Sequence, residues 1–180
     1  MASRYDFSAY RTLADVGGGS GGMALALTDA YPHLRATVID LPTVTPIAQR
    51  FLAEAGATDH IQVVAADVVN TPVPGTYDVA VLRALLQVLS PEDALRALTH
   101  IGAALPPGGR LYIVGSILDD GRLSPLGAVG FNLVALNEFD AGRAYTEGEY
   151  RAWLMAAGFA EIARVPIAEG ASIMTARKPV

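Results

Sequence analysis

Short apolar runs alternate with longer amphipathic ones along the whole chain. Residues 12–16 read as a short buried strand and 23–30 as the helix that follows it. Residues 35–39 form a second strand closing on Asp40, and Leu41-Pro42 turns the chain into a helix over 46–55. Pro46 is tolerated there because the first turn of a helix has no use for its N–H. Strands follow at 61–65, just ahead of Asp67, and at 77–82. Ser90-Pro91-Glu92-Asp93 is a helix start, with Ser90 as N-cap, Pro91 at the first helical position and two acids in the first turn. That helix runs to about Leu105 and stops at Pro106-Pro107-Gly108-Gly109, before a fifth strand at 110–114.

The C-terminal third continues the alternation. Residues 126–136 predict an apolar helix, and Thr146 with Glu149 forms a capping box opening another helix that ends near Gly158. Two last strands, 161–167 and 172–177, are parted only by Ala168-Glu169-Gly170-Ala171. A link this short cannot cross over the sheet, so this pair must be antiparallel. The pattern predicts an α/β fold: a mostly parallel seven-stranded sheet with a C-terminal antiparallel hairpin and helices on both faces.

Composition narrows the functional classes. At 180 residues, 52% of them hydrophobic and 17% charged, the chain suits one folded domain. It has no internal repeat, low-complexity tract or linker. A net charge of −5 argues against a nucleic-acid surface or a polybasic membrane patch. The absence of cysteine excludes disulfides, thiolate metal sites and thiol nucleophiles, and no metal is expected. The first seven residues lack the apolar core of a signal peptide, and the best apolar run, 79–89, is interrupted by Arg83. A cytoplasmic location, without membrane or nucleic-acid partners, is the expectation.

The candidate chemistry starts at Asp15-Val16-Gly17-Gly18-Gly19-Ser20-Gly21-Gly22, between the first strand and its helix. Glycines there let backbone approach a ligand closely and aim free helix N–H groups at it. Three readings compete. Gly17-x-Gly19-x-x-Gly22 with Asp40 at the next strand end fits a dinucleotide fingerprint. Gly18-Gly19-Ser20-Gly21-Gly22 matches a nucleophile elbow. That second reading fails on context, because the elbow would follow the first strand and the last histidine, His100, lies inside a helix. The third reading is S-adenosylmethionine (SAM) binding.

The run from Leu13 to Gly21 resembles the first motif of class I methyltransferases. More closely, the chain is similar to the catalytic domain of small-molecule O-methyltransferases of the caffeate and antibiotic-tailoring type. Four further segments carry the resemblance in order: Val38-Ile39-Asp40-Leu41-Pro42, Ala66-Asp67-Val68, the stretch from Leu105 to Leu111, and Tyr145-Thr146 through Phe159. It implies a Rossmann-like fold and SAM, or its product S-adenosylhomocysteine (SAH), as ligand. Gly17, Gly19 and Gly21 would admit the cofactor's amino-acid tail, and Asp40 would accept hydrogen bonds from both ribose hydroxyls. Leu41 would lie beside Asp40 in the cofactor site. Asp67 would lie by the adenine amino group, with Val68 against the ring, and Arg83 occupies the family's basic position near the cofactor.

The resemblance also exposes departures. The histidine that serves as general base after the fourth strand falls on Gln87, and a carboxamide is no base. The acids flanking that histidine align with Gly115 and Ala144. His33 and His60 precede strands, away from their carboxyl ends, and His100 sits mid-helix, so each reads as a surface or packing residue. Asp119, Asp120, Glu138 and Asp140 lie in the region that lines the family's acceptor pocket. The family's helical N-terminal dimerisation domain has no counterpart ahead of the strand at Thr12. Residues 1–180 are therefore expected to be the methyltransferase domain alone, acting with a separate dimerisation domain or as a homodimer. Tyr5, Phe7 and Tyr10 are either the edge of that contact or the edge of the core. The expected activity is methyl transfer to a hydroxyl of a small aromatic or polyketide-like acceptor. The alternatives are a SAM-binding tailoring enzyme that hydroxylates, decarboxylates or rearranges, and an inert SAM-binding fragment.

Overall fold

The computed structural model describes residues 1–167 and 170–180. It contains one seven-stranded sheet. The strands are β1 (Thr12–Val16), β2 (Arg35–Asp40), β3 (Ile61–Ala65), β4 (Val79–Arg83), β5 (Arg110–Ser116), β6 (Ala160–Pro166) and β7 (Ala171–Arg177). The helices are α1 (Gly22–Ala30), α2 (Thr45–Glu54), α3 (Pro91–Ala103), α4 (Leu126–Glu138) and α5 (Glu147–Ala156). The strand order is β3-β2-β1-β4-β5-β7-β6. β1 to β5 pair in parallel, and β7 runs antiparallel to both β5 and β6. The expected turn at Ala168-Glu169 lies outside the described residues, but the antiparallel pairing of its two strands is as predicted.

Successive strand residues serve opposite faces, so the central strands are apolar on both sides. Leu13, Val38, Val81 and Tyr112 pack with Leu27 of α1 and Leu52 of α2. Their neighbours Ala14, Ile39, Leu82 and Ile113 pack with Leu98 of α3 and Leu154 of α5. Phe7 is fully buried, its ring 5.2 Å from that of Tyr112, and Tyr5 meets the same ring at 5.0 Å. These aromatics are thus the edge of the core.

Helix starts follow their chemistry. Ser90 accepts from the Asp93 N–H at the head of α3, and Thr146 with Glu149 makes the complete capping box of α5. A single turn of 3-10 helix, Leu86–Val88, was not legible in an apolar run too short to show any period. α4 differs from the others in burying only Ala128 and Ala135 while Leu126, Leu133, Val134 and Leu136 are exposed. Arg164 of β6 is only 7% exposed in its side chain. It donates to Asp119 at 2.7 Å, Glu147 at 3.3 Å, Ser172 Oγ at 3.0 Å and the Ile117 carbonyl at 2.8 Å. That one guanidinium ties the hairpin to the exit of β5 and the start of α5. Among the described residues no helix is long and apolar enough to cross a membrane.

The order reverses between β1 and β4, whose neighbours β2 and β5 lie on opposite sides. Such a switch point opens a crevice at the carboxyl ends of the strands, where ligands of parallel α/β sheets bind.

Candidate functional site

The glycine loop stands at that switch point. Gly17 and Gly19 have φ of +65° and +58°, a region costly for side-chain-bearing residues. Gly17 donates to the Ile39 carbonyl at 2.8 Å, and a Cβ on it would stand 2.9 Å from Leu85 Cδ1. Gly19 faces open space, and its N–H donates to Asp40 Oδ2 at 2.8 Å. Gly21 answers to packing: a Cβ there would meet Leu52 of α2 at 3.1 Å. The same glycine run thus serves a loop contact, an open approach and a helix contact.

Asp40 ends β2 with its other oxygen, Oδ1, accepting from the Leu41 N–H at 2.8 Å. Two backbone donors fix the carboxylate, yet each oxygen keeps a second acceptor site for a ligand. Leu41 is 45% exposed, an apolar side chain held at the rim. Across the crevice, Asp67 accepts from Val69 N at 3.0 Å and from the Asn70 side-chain amide at 2.8 Å. The Asn70 amide above all holds the Asp67 carboxyl below the usual range. Gly17, Asp40, Leu41, Asp67, Val68 and Arg83 line one cavity of about 450 Å³. Gly19 lines an adjoining cavity of about 320 Å³ together with Asp15 and Ser20. Gly17, Arg83 and Ala84 belong to both, so the crevice has two lobes meeting at the loop. Ala84 holds φ of +59°, a strained conformation for a residue with a Cβ and one that clusters at functional sites. Arg83 is exposed and forms no ion pair among the described residues. It also borders a third cavity of about 450 Å³ beside Met23, Ala26 and Leu27 of α1.

Asp15 is the residue that sequence reasoning passed over as merely the acid ahead of the glycines. It is 1% exposed; Oδ2 accepts from Ala24 N of α1 at 2.9 Å, while Oδ1 is buried without a partner. Burial pushes its carboxyl up to about 6, opposed by the Ala24 N–H. The Asp40 charge adds to the rise and Arg83 opposes it. The motif contained the signal, but which face of β1 the acid takes emerges only from the strand's packing. A carboxyl raised on folding is stabilising while protonated, and that contribution is lost as pH rises from about 4 through about 6. Replacing Asp15 with asparagine is therefore expected to flatten the protein's stability profile in this window. Urea titrations of both proteins at pH 4.5 and 7.5 check it: the wild type should lose stability relative to the variant on going to the higher pH.

Gln87 sits in the 3-10 turn, 2% exposed, behind Val88 and Leu89, which line the larger lobe. It lines none of the three cavities above. Its Oε1 occupies the space beside β5: a Cβ on Gly115 would stand 2.5 Å from it. Its Nε2 approaches the Ser116 carbonyl only at 3.5 Å. Ala144 is buried against Leu118 and Ala128, and its N–H donates to Asn132 Oδ1 at 2.9 Å. No acid or base therefore stands at positions 87, 115 or 144.

Of the remaining candidates, Glu138 and Asp140 are exposed, and the others are committed elsewhere. Asp119 pairs with Arg164 and Ser124, and Asp120 accepts from Gly148 N at the head of α5. His33 contacts the Tyr10 carbonyl at 3.1 Å, and His60 lies by Arg35 at the opposite sheet edge. His100 meets the Val68 carbonyl at 2.9 Å. Among the described residues no three His, Asp or Glu side chains gather as a metal site.

A parallel sheet reversing at β1 and β4, an open glycine loop there, an acid ending β2 and a closing antiparallel hairpin define a class I methyltransferase fold. The chain belongs to the O-methyltransferase domain family, whose model matches residues 1–160. It is 35% identical over 170 residues to the 3-hydroxy-5-methyl-1-naphthoate 3-O-methyltransferase of Streptomyces sahachiroi, covering 93% of this chain and 48% of that protein. It is 43% identical over 113 residues to the aclacinomycin 10-hydroxylase RdmB of Streptomyces purpurascens, covering 63% of this chain and 30% of that protein. Among solved structures, PigF with SAH superposes with a TM-score of 0.88 at 30% identity, covering 98% of this chain and 52% of that one. The chain spans about half the length of the curated relatives it matches over most of its own length.

The residues present suit an elongated ligand with a cationic tail, a diol and a flat base. The buried, unpartnered Asp15 Oδ1 asks for a donor in one lobe. Asp40 keeps acceptor sites free at the junction, and Val68 and Leu41 offer apolar surface in the other.

Proposed function

We propose that this domain binds SAM in the two-lobed crevice and supports methyl transfer to a hydroxyl of a small aromatic or polyketide-like metabolite. The observation that carries this reading is the junction of the lobes, where Gly19 opens onto free space and Asp40 is held by the Gly19 and Leu41 N–H groups. Asp40 accepts the ribose hydroxyls, Asp67 faces the base amino group, and Leu41 and Val68 cover the ring. Gly17 and Gly19 admit the amino-acid tail, whose ammonium pairs with Asp15. Arg83, bordering all three cavities, is the cation between cofactor and acceptor. When bound, the cofactor supplies a methyl group made electrophilic by a sulfonium.

The chain contributes chiefly position, because in-line transfer between two held reactants needs little else. Gln87 takes no proton, and the acceptor hydroxyl gives its proton to solvent. This selects acceptors acidic enough to ionise unaided, such as phenols beside a carbonyl. Replacing Gln87 with leucine is expected to leave the dependence of rate on pH unchanged, since the acceptor's own ionisation sets it. Rates with two phenols of different acidity, measured from pH 6 to 9 in both proteins, check this. Incubation with SAM and a panel of such phenols, read by product mass, tests the activity itself: the product gains a methyl group and SAH accumulates.

The buried carboxamide at position 87 also favours a second reading, in which the same cofactor cradle serves a non-methylating step. The similarity to a hydroxylase supports it. Product mass again separates the two, because methylation adds a methyl group and leaves SAH, whereas the non-methylating step does neither.

The exposed apolar face of α4 suggests how the domain is completed. We propose that a dimerisation domain covers Leu126, Leu133 and Leu136, since the relatives carry about as much chain again as they share with this one. Ultracentrifugation of residues 1–180 tests it: a monomer is expected, and a dimer that Leu133→Asp returns to monomer would put a second copy on α4 instead.

A further inference from the structure

One side of the larger lobe is made by two elements with no covalent link nearby. One is the loop after β3, from Ala66 to Asn70, and the other is the approach to α3 with its first turn, from Val88 to Asp93. Within the loop, Asp67 organises its own neighbours: its side chain accepts from Val69 N, and its carbonyl accepts from Thr71 N at 2.8 Å. These bonds shape the loop but do not fix where it lies relative to the helix.

His100 supplies that fixture. It projects from α3, half-buried, and places Nδ1 at 2.9 Å from the Val68 carbonyl oxygen. A carbonyl can only accept, so Nδ1 carries the hydrogen. Val68 is itself buried in the core that α3 shares, and it lines the lobe. The bond therefore ties the loop to α3, about two turns beyond the helix's lobe-lining first turn, at the residue proposed to cover the cofactor's base.

We propose that His100 is a positioning residue for the cofactor site, setting the separation of the 66–70 loop from α3 so that Asp67 and Val68 meet the adenosine half of the ligand. This rests on the SAM reading above. A mobile wall must be ordered when ligand binds, whereas a wall already tied in place costs nothing further. A single neutral hydrogen bond of this kind has a net worth corresponding to about threefold to tenfold in affinity.

Asparagine and aspartate make the discriminating pair. The Asn Nδ2 stands where His Nδ1 stands relative to the backbone, and it donates. Aspartate has the same shape and, ionised at pH 7.5, only accepts. In the full chain, His100→Asn is expected to bind SAH and 5′-methylthioadenosine as wild type does. His100→Asp should weaken both by the same factor, about fivefold, because the loop touches only the adenosine half they share. Calorimetry gives the affinities, and hydrogen exchange at the Val69 and Thr71 amides reports the loop without ligand. Exchange should quicken in His100→Asp and stay slow in His100→Asn. Unchanged affinity and exchange in His100→Asp would overturn the inference. So would equal losses in both variants, which would mark a packing role alone. A wild type that binds neither ligand would overturn the SAM reading, and with it this role toward cofactor, while exchange would still show whether His100 ties the loop.

Discussion

Replacing Asp40 with alanine is expected to weaken SAH binding by at least about a hundredfold, the largest loss at any single side chain of the crevice. Two effects combine. The proposed bonds from both ribose hydroxyls end on this carboxylate, and hydrogen bonds to a charged group are worth about 1.5–3 kcal/mol each. The same carboxylate also holds the Gly19 and Leu41 N–H groups, so its loss frees the glycine loop at the junction of the lobes. Asp40→Asn keeps one acceptor oxygen and should fall between alanine and wild type. Calorimetry with SAH, alongside circular dichroism to confirm folding, checks both. A change below about threefold in Asp40→Ala would mean that the loop has been misread.

The second large effect concerns the fold. Arg164→Ala should lower stability by about 3 kcal/mol and the melting temperature by roughly 10 °C. The guanidinium is almost fully buried and spans three elements, bonding Asp119, Glu147, Ser172 and the Ile117 carbonyl. The loss stays at the lower end for a buried ion pair because Asp119, 53% exposed, remains hydrated when its partner goes. Thermal denaturation followed by circular dichroism measures it. A shift under about 2 °C would show that the hairpin is held by strand pairing alone.

Much of the architecture was legible because its causes are local. The apolar runs mark strands buried on both faces, Ser90 and Thr146 carry their own capping chemistry, and the four-residue link between the last two strands forces them antiparallel. The placement of Asp40 and Asp67 along the crevice was legible for the same reason, each standing at or within two residues of a strand end that could be read.

What stayed hidden depends on contacts between distant segments. Asp15 was visible as a residue, but its solitary Oδ1 results from burial between β1 and α1. His100 looked like a packing residue, since nothing in α3 tells that its ring meets Val68, far away in sequence. Gly21 looked equivalent to Gly17 and Gly19 until α2 placed Leu52 against it. Gln87 was recognised as no base; that its carboxamide lies behind the wall and beside Gly115 required the sheet. Arg164 gave no sign at all within the strand read over 161–167.

The glycine run thus becomes several distinct contacts arranged around one crevice, which we propose holds SAM or SAH. Titrating the folded chain with SAH in a calorimeter tests it most directly, with NAD titrated in parallel. Saturable one-to-one binding of SAH is expected, abolished or severely weakened in Asp40→Ala, with no heat from NAD. Well-folded protein that gives no heat with SAH, or that binds NAD instead, would contradict it.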